Sequence, residues 1–437
     1  MNNTLHYIIR FLLGEEISDA TAHLVGYTAN QNHFDRYRVV IIPSGFFDTD
    51  VYGTPASVPS LPLQETEGIP LLFGSQKVEW VGDTWVVHAD IIASTYFLIT
   101  RYEEMIHRDL RDEHGRFPGK ESLPYRAGFL HRPIVDEYRQ LLRRWLRQSR
   151  VPVPEVEAQI SKVYLTHDVD APFLYRSWKG VIRSLLNKRG LVTSLKGKFG
   201  SFDNDPYYTF PWLFQQNDAL RDQLGKEHCQ SILFFRAGGK AQQDKPHYSL
   251  HSKELHHLLQ KCTAHEAAVG LHSSYQAGIR PEKINKEKKT LEEQAATAIT
   301  FNRHHYLACR EPEDMDRLEA EGFTDDFTMG YADLAGFRLG TSHPVRWINP
   351  VNRRLSSLTL HPLIIMDCTL EEANYMHFDY EQAFTYCLRL IEEVKKAGGE
   401  LVMLWHNTSA RQQVIKKHPN SYLRKLYENL LNELKKI

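Results

Sequence analysis

Leu165-Thr166-His167-Asp168-Val169-Asp170 closes an apolar run that begins at Val163, and its alternation decides how the rest of the chain is read. Side chains on a strand point alternately to opposite faces, so Asp168 and Asp170 share one side and His167 takes the other. Two carboxylates at one strand end repel unless a proton or a cation lies between them. That arrangement suits one aspartate as a metal ligand and the other as a base. By spacing alone, capping of a following helix or simple solvation explains the pair equally well.

Outward from this stretch, short apolar runs alternate with amphipathic segments. The runs are Val163–Leu165, Ser231–Phe235, Ala267–Leu271, Ile299–Phe301, Leu363–Met366 and Leu401–Leu404, with a weaker one at Phe323–Met329. Helical spacing falls between them at about 210–225, 251–262, 282–297, 312–321, 380–397 and 420–436. Strands alternating with helices predict a parallel sheet, open or closed into a barrel, with reactive groups where strands end. Polar residues stand at those ends. His272 follows one run directly, although a histidine there is more often hydrogen-bonded than a ligand. Asn302-Arg303-His304-His305-Tyr306 follows another, where Arg303 can hold a carboxylate and His305 can ligate. Asp325 to Thr341 is a Gly- and Asp-rich stretch whose glycines serve turns equally well. Trp405-His406-Asn407 ends the last run, placing His406 as a general acid or as a donor to a nearby carbonyl.

Residues 1 to about 150 differ in character. Tyr37–Ile42 predicts a strand, Val78–Val87 a hairpin turning at Gly82-Asp83, and Ala89–Met105 and Pro133–Arg147 helices. Val151-Pro152-Val153-Pro154 reads as a linker. The expected division is an α+β unit over 1–150 and a second unit over 160–437. With 53 basic and 54 acidic residues in 437, the chain lacks the positive field of a nonspecific nucleic-acid binder. The five cysteines, Cys229, Cys262, Cys309, Cys368 and Cys387, include no CxxC pair, which fits neither a disulfide framework nor a cysteine zinc site. Cys262, Cys368 and Cys387 are expected as small core residues. The apolar stretch Tyr7–Leu13 is interrupted by Arg10 and is a poor signal peptide, and no segment reads as transmembrane. A cytoplasmic protein is the expectation.

The ordered set of strand-end residues resembles the polysaccharide deacetylase family, carbohydrate esterase family 4. The resemblance covers about 163–410 and implies a distorted (β/α) barrel, preceded by a smaller α+β accessory domain of the kind found in a bacterial subgroup. Phe97–Glu104 and Asp112–Phe117 are the most recognisable parts of that domain. The resemblance also implies removal of an acetyl group from an N-acetylated sugar or glycan with a divalent metal, zinc first, then cobalt, manganese or nickel. Asp168 takes the place of the base, Asp170 and His272 of metal ligands, Arg303 and Tyr306 of the third motif, and His406 of the acid that protonates the leaving amine. Gln276 stands where the family has its second ligand histidine; either His305 supplies the missing ligand from the neighbouring strand, or Asp170, His272 and waters hold the metal more weakly in a more open site. Asp333 or Arg338 would orient the base or the acid. A cytoplasmic location would shift the substrate toward a soluble or lipid-linked sugar intermediate. The competing readings are a degenerate relative that binds glycan or protein, and a hydrolase of non-sugar C–N bonds.

Overall fold

The computed structural model describes residues 2–176, 181–182, 191–412 and 421–436. Asn420, where the last helix was expected to begin, lies outside them. The N-terminal part carries a four-stranded sheet of order β1-β2-β6-β5, from Val25–Tyr27 (β1), Val39–Ile41 (β2), Gly74–Val81 (β5) and Thr84–Ala89 (β6). A two-stranded ribbon, Gln64–Thr66 (β3) and Ile69–Leu71 (β4), forms a separate small sheet. The apolar start forms a helix, Asn2–Leu13, and Ile8, Leu12 and Leu13 are fully buried. The expected helix over Ala89–Met105 is broken in two, Ile91–Ile99 and Tyr102–Ile106, because Arg101 between them is left-handed at φ 58°. The expected linker is not free chain: Val151 and Val153 are buried in the same apolar cluster as the N-terminal helix and the strands that follow. Among the described residues no helix is long and apolar enough to cross a membrane.

The second part is built on nine strands: Lys162–Val169 (β7), Cys229–Phe235 (β8), Ala268–Ser273 (β9), Phe301–His304 (β10), Asp325–Asp326 (β11), Val345–Ile348 (β12), Leu355–Leu360 (β13), Leu363–Met366 (β14) and Glu400–Leu404 (β15). Their order is β12-β13-β11-β10-β9-β8-β7-β15-β14, all parallel except the β12–β13 pair. The fold is therefore α/β with a mixed sheet, and helices such as Phe210–Leu224, Lys253–Ala264 and Tyr380–Ala397 lie between successive strands.

The hairpin arm β12 and the strand β13 are not among the expected runs. In Leu355–Leu360 the inward positions are Ser356, Leu358 and Leu360, so a buried serine interrupts the apolar pattern. Yet β13 decides the shape of the sheet. It pairs with β11 at Asp325↔Thr359, then continues through His361-Pro362 into β14, which pairs with β15 at Leu363↔Val402. One kinked stretch thus spans the gap between the two sides of the ladder, and the Leu363 N–H donates across it to the Met329 carbonyl at 3.1 Å. The sheet curls on itself, and Tyr164, Ile232, Phe234, Phe327, Leu363, Val402 and Leu404 meet in one buried cluster inside the curl. The parallel strands end on a common rim, which is where the polar residues gather.

Candidate active site

On β7 the alternation holds. His167 points away from the rim: its Nδ1 lies 2.8 Å from the Trp405 carbonyl and its Nε2 takes an N–H from Asn217 at 2.9 Å. Burial pushes its pKa down to about 4, so it is a neutral core histidine. Asp168 points inward and is 2 % exposed. Its Oδ1 accepts from Arg303 Nη1 at 3.0 Å, and the same nitrogen donates to Thr166 Oγ1 at 2.8 Å. Arg303 Nε donates to the Phe327 carbonyl at 3.0 Å, and the guanidinium lies over the Phe234 ring, 4.6 Å from its centroid. A guanidinium fixed on three sides sets the orientation of Asp168.

Asp170, His272 and His305 come together from β7, β9 and the turn after β10. The Oδ1 of Asp170 is 3.3 Å from His272 Nε2 and 3.3 Å from His305 Nε2. Each histidine has its other nitrogen engaged: His272 Nδ1 lies 3.0 Å from the Arg303 carbonyl, and His305 Nδ1 lies 3.0 Å from Asp244 Oδ1. A carbonyl accepts only from an N–H, so Nδ1 of His272 carries a proton and Nε2, which faces Asp170, is the nitrogen left to ligate. Asp170 Oδ1 and His272 Nε2 are both buried, and neither makes a hydrogen bond of good geometry. Burying such atoms without partners is costly. Three ligand atoms within 4.8 Å of one another, two imidazole and one carboxylate, with carboxylate and carbonyl partners behind them, form a donor set that fits a divalent metal. Burial alone would raise the Asp170 carboxyl, but His305 beside it holds it well below the usual range. Burial disfavours a charged His305, and Asp170 and Asp244 outweigh it, so its pKa is raised.

His406 follows β15 and reaches the same centre from the opposite oxygen, its Nε2 3.6 Å from Asp170 Oδ2. Its Nδ1 lies 2.8 Å from Asp367 Oδ1, and its backbone N–H donates to Asp367 Oδ2 at 2.7 Å. Burial works against a charged imidazole there, but buried Asp367 prevails and raises the pKa well above the ordinary value. Cys368, expected in the core, instead lines the cleft, its Sγ 3.6 Å from His406 Nδ1. Burial pushes that thiol up to about 12, so it stays protonated.

These groups open into a cleft of about 320 Å³, whose walls include Tyr306, Leu307, Met366, Tyr375, Thr408 and, from the N-terminal part, Arg116. The Gln276 side chain is not among the ligands: its oxygen accepts from the Lys240 N–H at 3.2 Å, while its backbone N–H donates to Asp244 Oδ2 at 3.3 Å. Asp333 and Arg338 do not orient the base or the acid. Asp333 accepts from the Gly119 and Lys120 N–H groups, and Arg338 pairs with Glu104 at 2.8 Å. The orienting carboxylates are Asp244 and Asp367, neither singled out from the sequence. Asp367 directly follows the run Leu363–Met366, so the strand-end rule applied to that run would have found it. Asp244 lies mid-loop in Gln242-Gln243-Asp244-Lys245 and carries no such signal.

The Asp367–His406 pair makes a pH prediction. If protonated His406 is the acid, activity falls as pH rises through its raised pKa. Asp367→Asn removes the charge that raises it, so the alkaline limb of the pH–rate profile is expected at lower pH than in the parent protein. An unmoved limb would detach His406 from the chemistry.

Residues 2–151 match the model of a family of unknown function (DUF7033). No curated protein matches the chain. Among solved structures, a candidate polysaccharide deacetylase from Mycobacterium smegmatis is similar at 14% identity over 65% of this chain and 87% of its own, with a TM-score of 0.41. A mutant of a CE4-family pseudoenzyme with restored enzymatic activity is similar at 9% identity over 66% of this chain and 68% of its own, with a TM-score of 0.30. Overlap at these TM-scores is too loose to carry a residue's role from either structure to this chain.

Proposed function

We propose that the protein is a metal-dependent hydrolase that removes an acetyl group from an N-acetylated sugar or glycan. In this reading 160–437 is a distorted (β/α) barrel of the polysaccharide deacetylase type and 1–150 its accessory unit. The observation that carries it is the pair of buried ligand atoms on Asp170 and His272 that make no hydrogen bond of good geometry, with His305 completing the set. Those three residues would hold the ion, zinc being the cation that two imidazoles and a carboxylate favour. When bound, it would polarise the acetyl carbonyl oxygen and acidify water.

The chain's own groups supply the proton transfers. Asp168, held by Arg303, accepts the proton of the attacking water. His406, kept cationic by Asp367, gives its proton to the departing amine. Asp168 reaches the centre beside His272 Nε2 at 3.4 Å and His406 from the far oxygen of Asp170 at 3.6 Å, so base and acid meet the scissile bond from different directions.

Equilibrium titration with Zn²⁺ and Co²⁺ tests the metal half of the reading. Asp170→Ala and His272→Ala are expected to weaken binding by at least ~100-fold, and Asp244→Asn, which removes the charge behind His305, by ~10–100-fold. Acetate release from N-acetylglucosamine oligomers tests the other half. A parent protein that binds no metal ends the hydrolase reading. One that binds metal and glycan without releasing acetate is a binder.

A further inference from the structure

Part of the N-terminal half reaches into the candidate site. The turn that carries His305 continues through two residues with left-handed backbone, Tyr306 at φ 61° and Leu307 at φ 52°. Neither is glycine, and a side chain in this region strains the chain unless its surroundings over-determine it. The surroundings here are arginines from residues 101–116. Arg116 Nη1 donates to the Tyr306 carbonyl at 2.9 Å. Its Nε donates to Asp112 Oδ2 at 2.7 Å, and Nη2 reaches the Tyr375 hydroxyl at 3.4 Å. Arg101 Nη2 donates to the Cys309 carbonyl at 3.0 Å, and Arg111 Nη2 to Glu311 at 3.1 Å. On the outer side of the turn, the His114 ring stands edge-on to Tyr306 with centroids 4.8 Å apart. Arg116 is the one of these arginines that also lines the cleft.

We propose that Arg116 is a positioning residue of the candidate site: by holding the left-handed Tyr306 peptide it keeps His305 beside Asp170 and His272. Asp112 in turn fixes Arg116, through two backbone N–H groups (His114 and Arg116) as well as the ion pair. The stretch Asp112–Phe117 is then part of the site and not a cover over one face. This rests on the metal reading only for its consequence, since the geometry of His305 can be followed without metal.

The test compares Arg116→Ala and Arg116→Lys with the parent protein as the full chain. Amide hydrogen exchange is read over residues 303–310, and the ring signals of isotopically labelled His305 in the metal-free protein. Co²⁺ affinity and its visible spectrum are measured in parallel. Arg116→Ala is expected to raise exchange at 306–308 by ~10-fold or more, to move the His305 ring signals, and to weaken Co²⁺ binding by ~10-fold with an altered spectrum. Arg116→Lys, which can still donate to one carbonyl, restores part of each. Unchanged exchange and ring signals in a folded Arg116→Ala protein overturn the proposal. If that variant does not fold, Asp112→Asn, which keeps the guanidinium but loosens it, must show a smaller change of the same kind, and its absence overturns the proposal too. A parent protein without Co²⁺ affinity counts against the metal reading alone, because exchange and ring signals still decide Arg116.

Discussion

Asp168→Asn is expected to lower the turnover number for acetate release by about 10²–10⁴-fold, the range that a positioned general base contributes. The substitution is close to isosteric, and an amide oxygen can still accept from Arg303 Nη1, so the Arg303–Thr166 arrangement keeps its geometry. What disappears is the ability to take a proton. Metal affinity should stay within a few-fold of the parent, because Asp168 lies outside the Asp170–His272–His305 set and touches it only through His272 Nε2 at 3.4 Å. KM should move little, since Asp168 is only 2 % exposed and most of the cleft lining comes from other side chains. Full turnover in the variant removes Asp168 as the base. Loss of metal together with turnover would instead make it a ligand, and titration of Co²⁺ beside the kinetics separates the two.

The strand-end logic reached Asp168, Asp170, His272, Arg303, His305 and His406 because each follows or ends an apolar run, and parallel strands deliver their ends to one rim. It also sent His167 to the opposite face, where it is a neutral histidine held by Asn217 and the Trp405 carbonyl. It could not reach Asp244, because a loop's path is set by packing and not by periodicity. Nor could it show that Asp333 and Arg338 are used up by Gly119, Lys120 and Glu104, since those contacts join residues more than 200 apart in the chain. The curl of the sheet was hidden for a related reason. Strand β13 carries Ser356 and Thr359 among its leucines, and its role depends on continuing into β14 through His361-Pro362, where the proline reads as a break and not as a link between two strands of one sheet.

That junction is the site of the largest expected effect on stability. His361 Nδ1 lies 2.6 Å from Glu400 Oε1 on β15, and its Nε2 lies 2.9 Å from Asp325 Oδ1 on β11, so one imidazole joins the two sides of the curled sheet where the strand kinks. Its ring also stacks on Phe327 with centroids 4.4 Å apart. The group is nearly buried, with the His361 and Glu400 side chains 7% and 5% exposed. Burial opposes its charge, but Glu400 and Asp325 push its pKa up to about 9 from an ordinary 6.5. A histidine raised on folding contributes stability that is fully present below its unfolded pKa and is lost as pH rises through the folded one. The stability of the parent protein should therefore decline between about pH 6.5 and about pH 9, by on the order of 3 kcal/mol from this group. Its midpoint in a denaturant titration should move accordingly. His361→Ala strips both carboxylates of their partner and should cost about 3–5 kcal/mol near neutral pH, as breaking a buried pair does. Glu400→Gln combined with Asp325→Asn removes the charges that raise the histidine, so the decline over that pH interval should flatten. The loss should also be felt at the rim, because β14 leads directly into Asp367 and β15 into His406. A pH dependence unchanged in the doubly neutral variant would show that His361 does not join the two sides as a charged group.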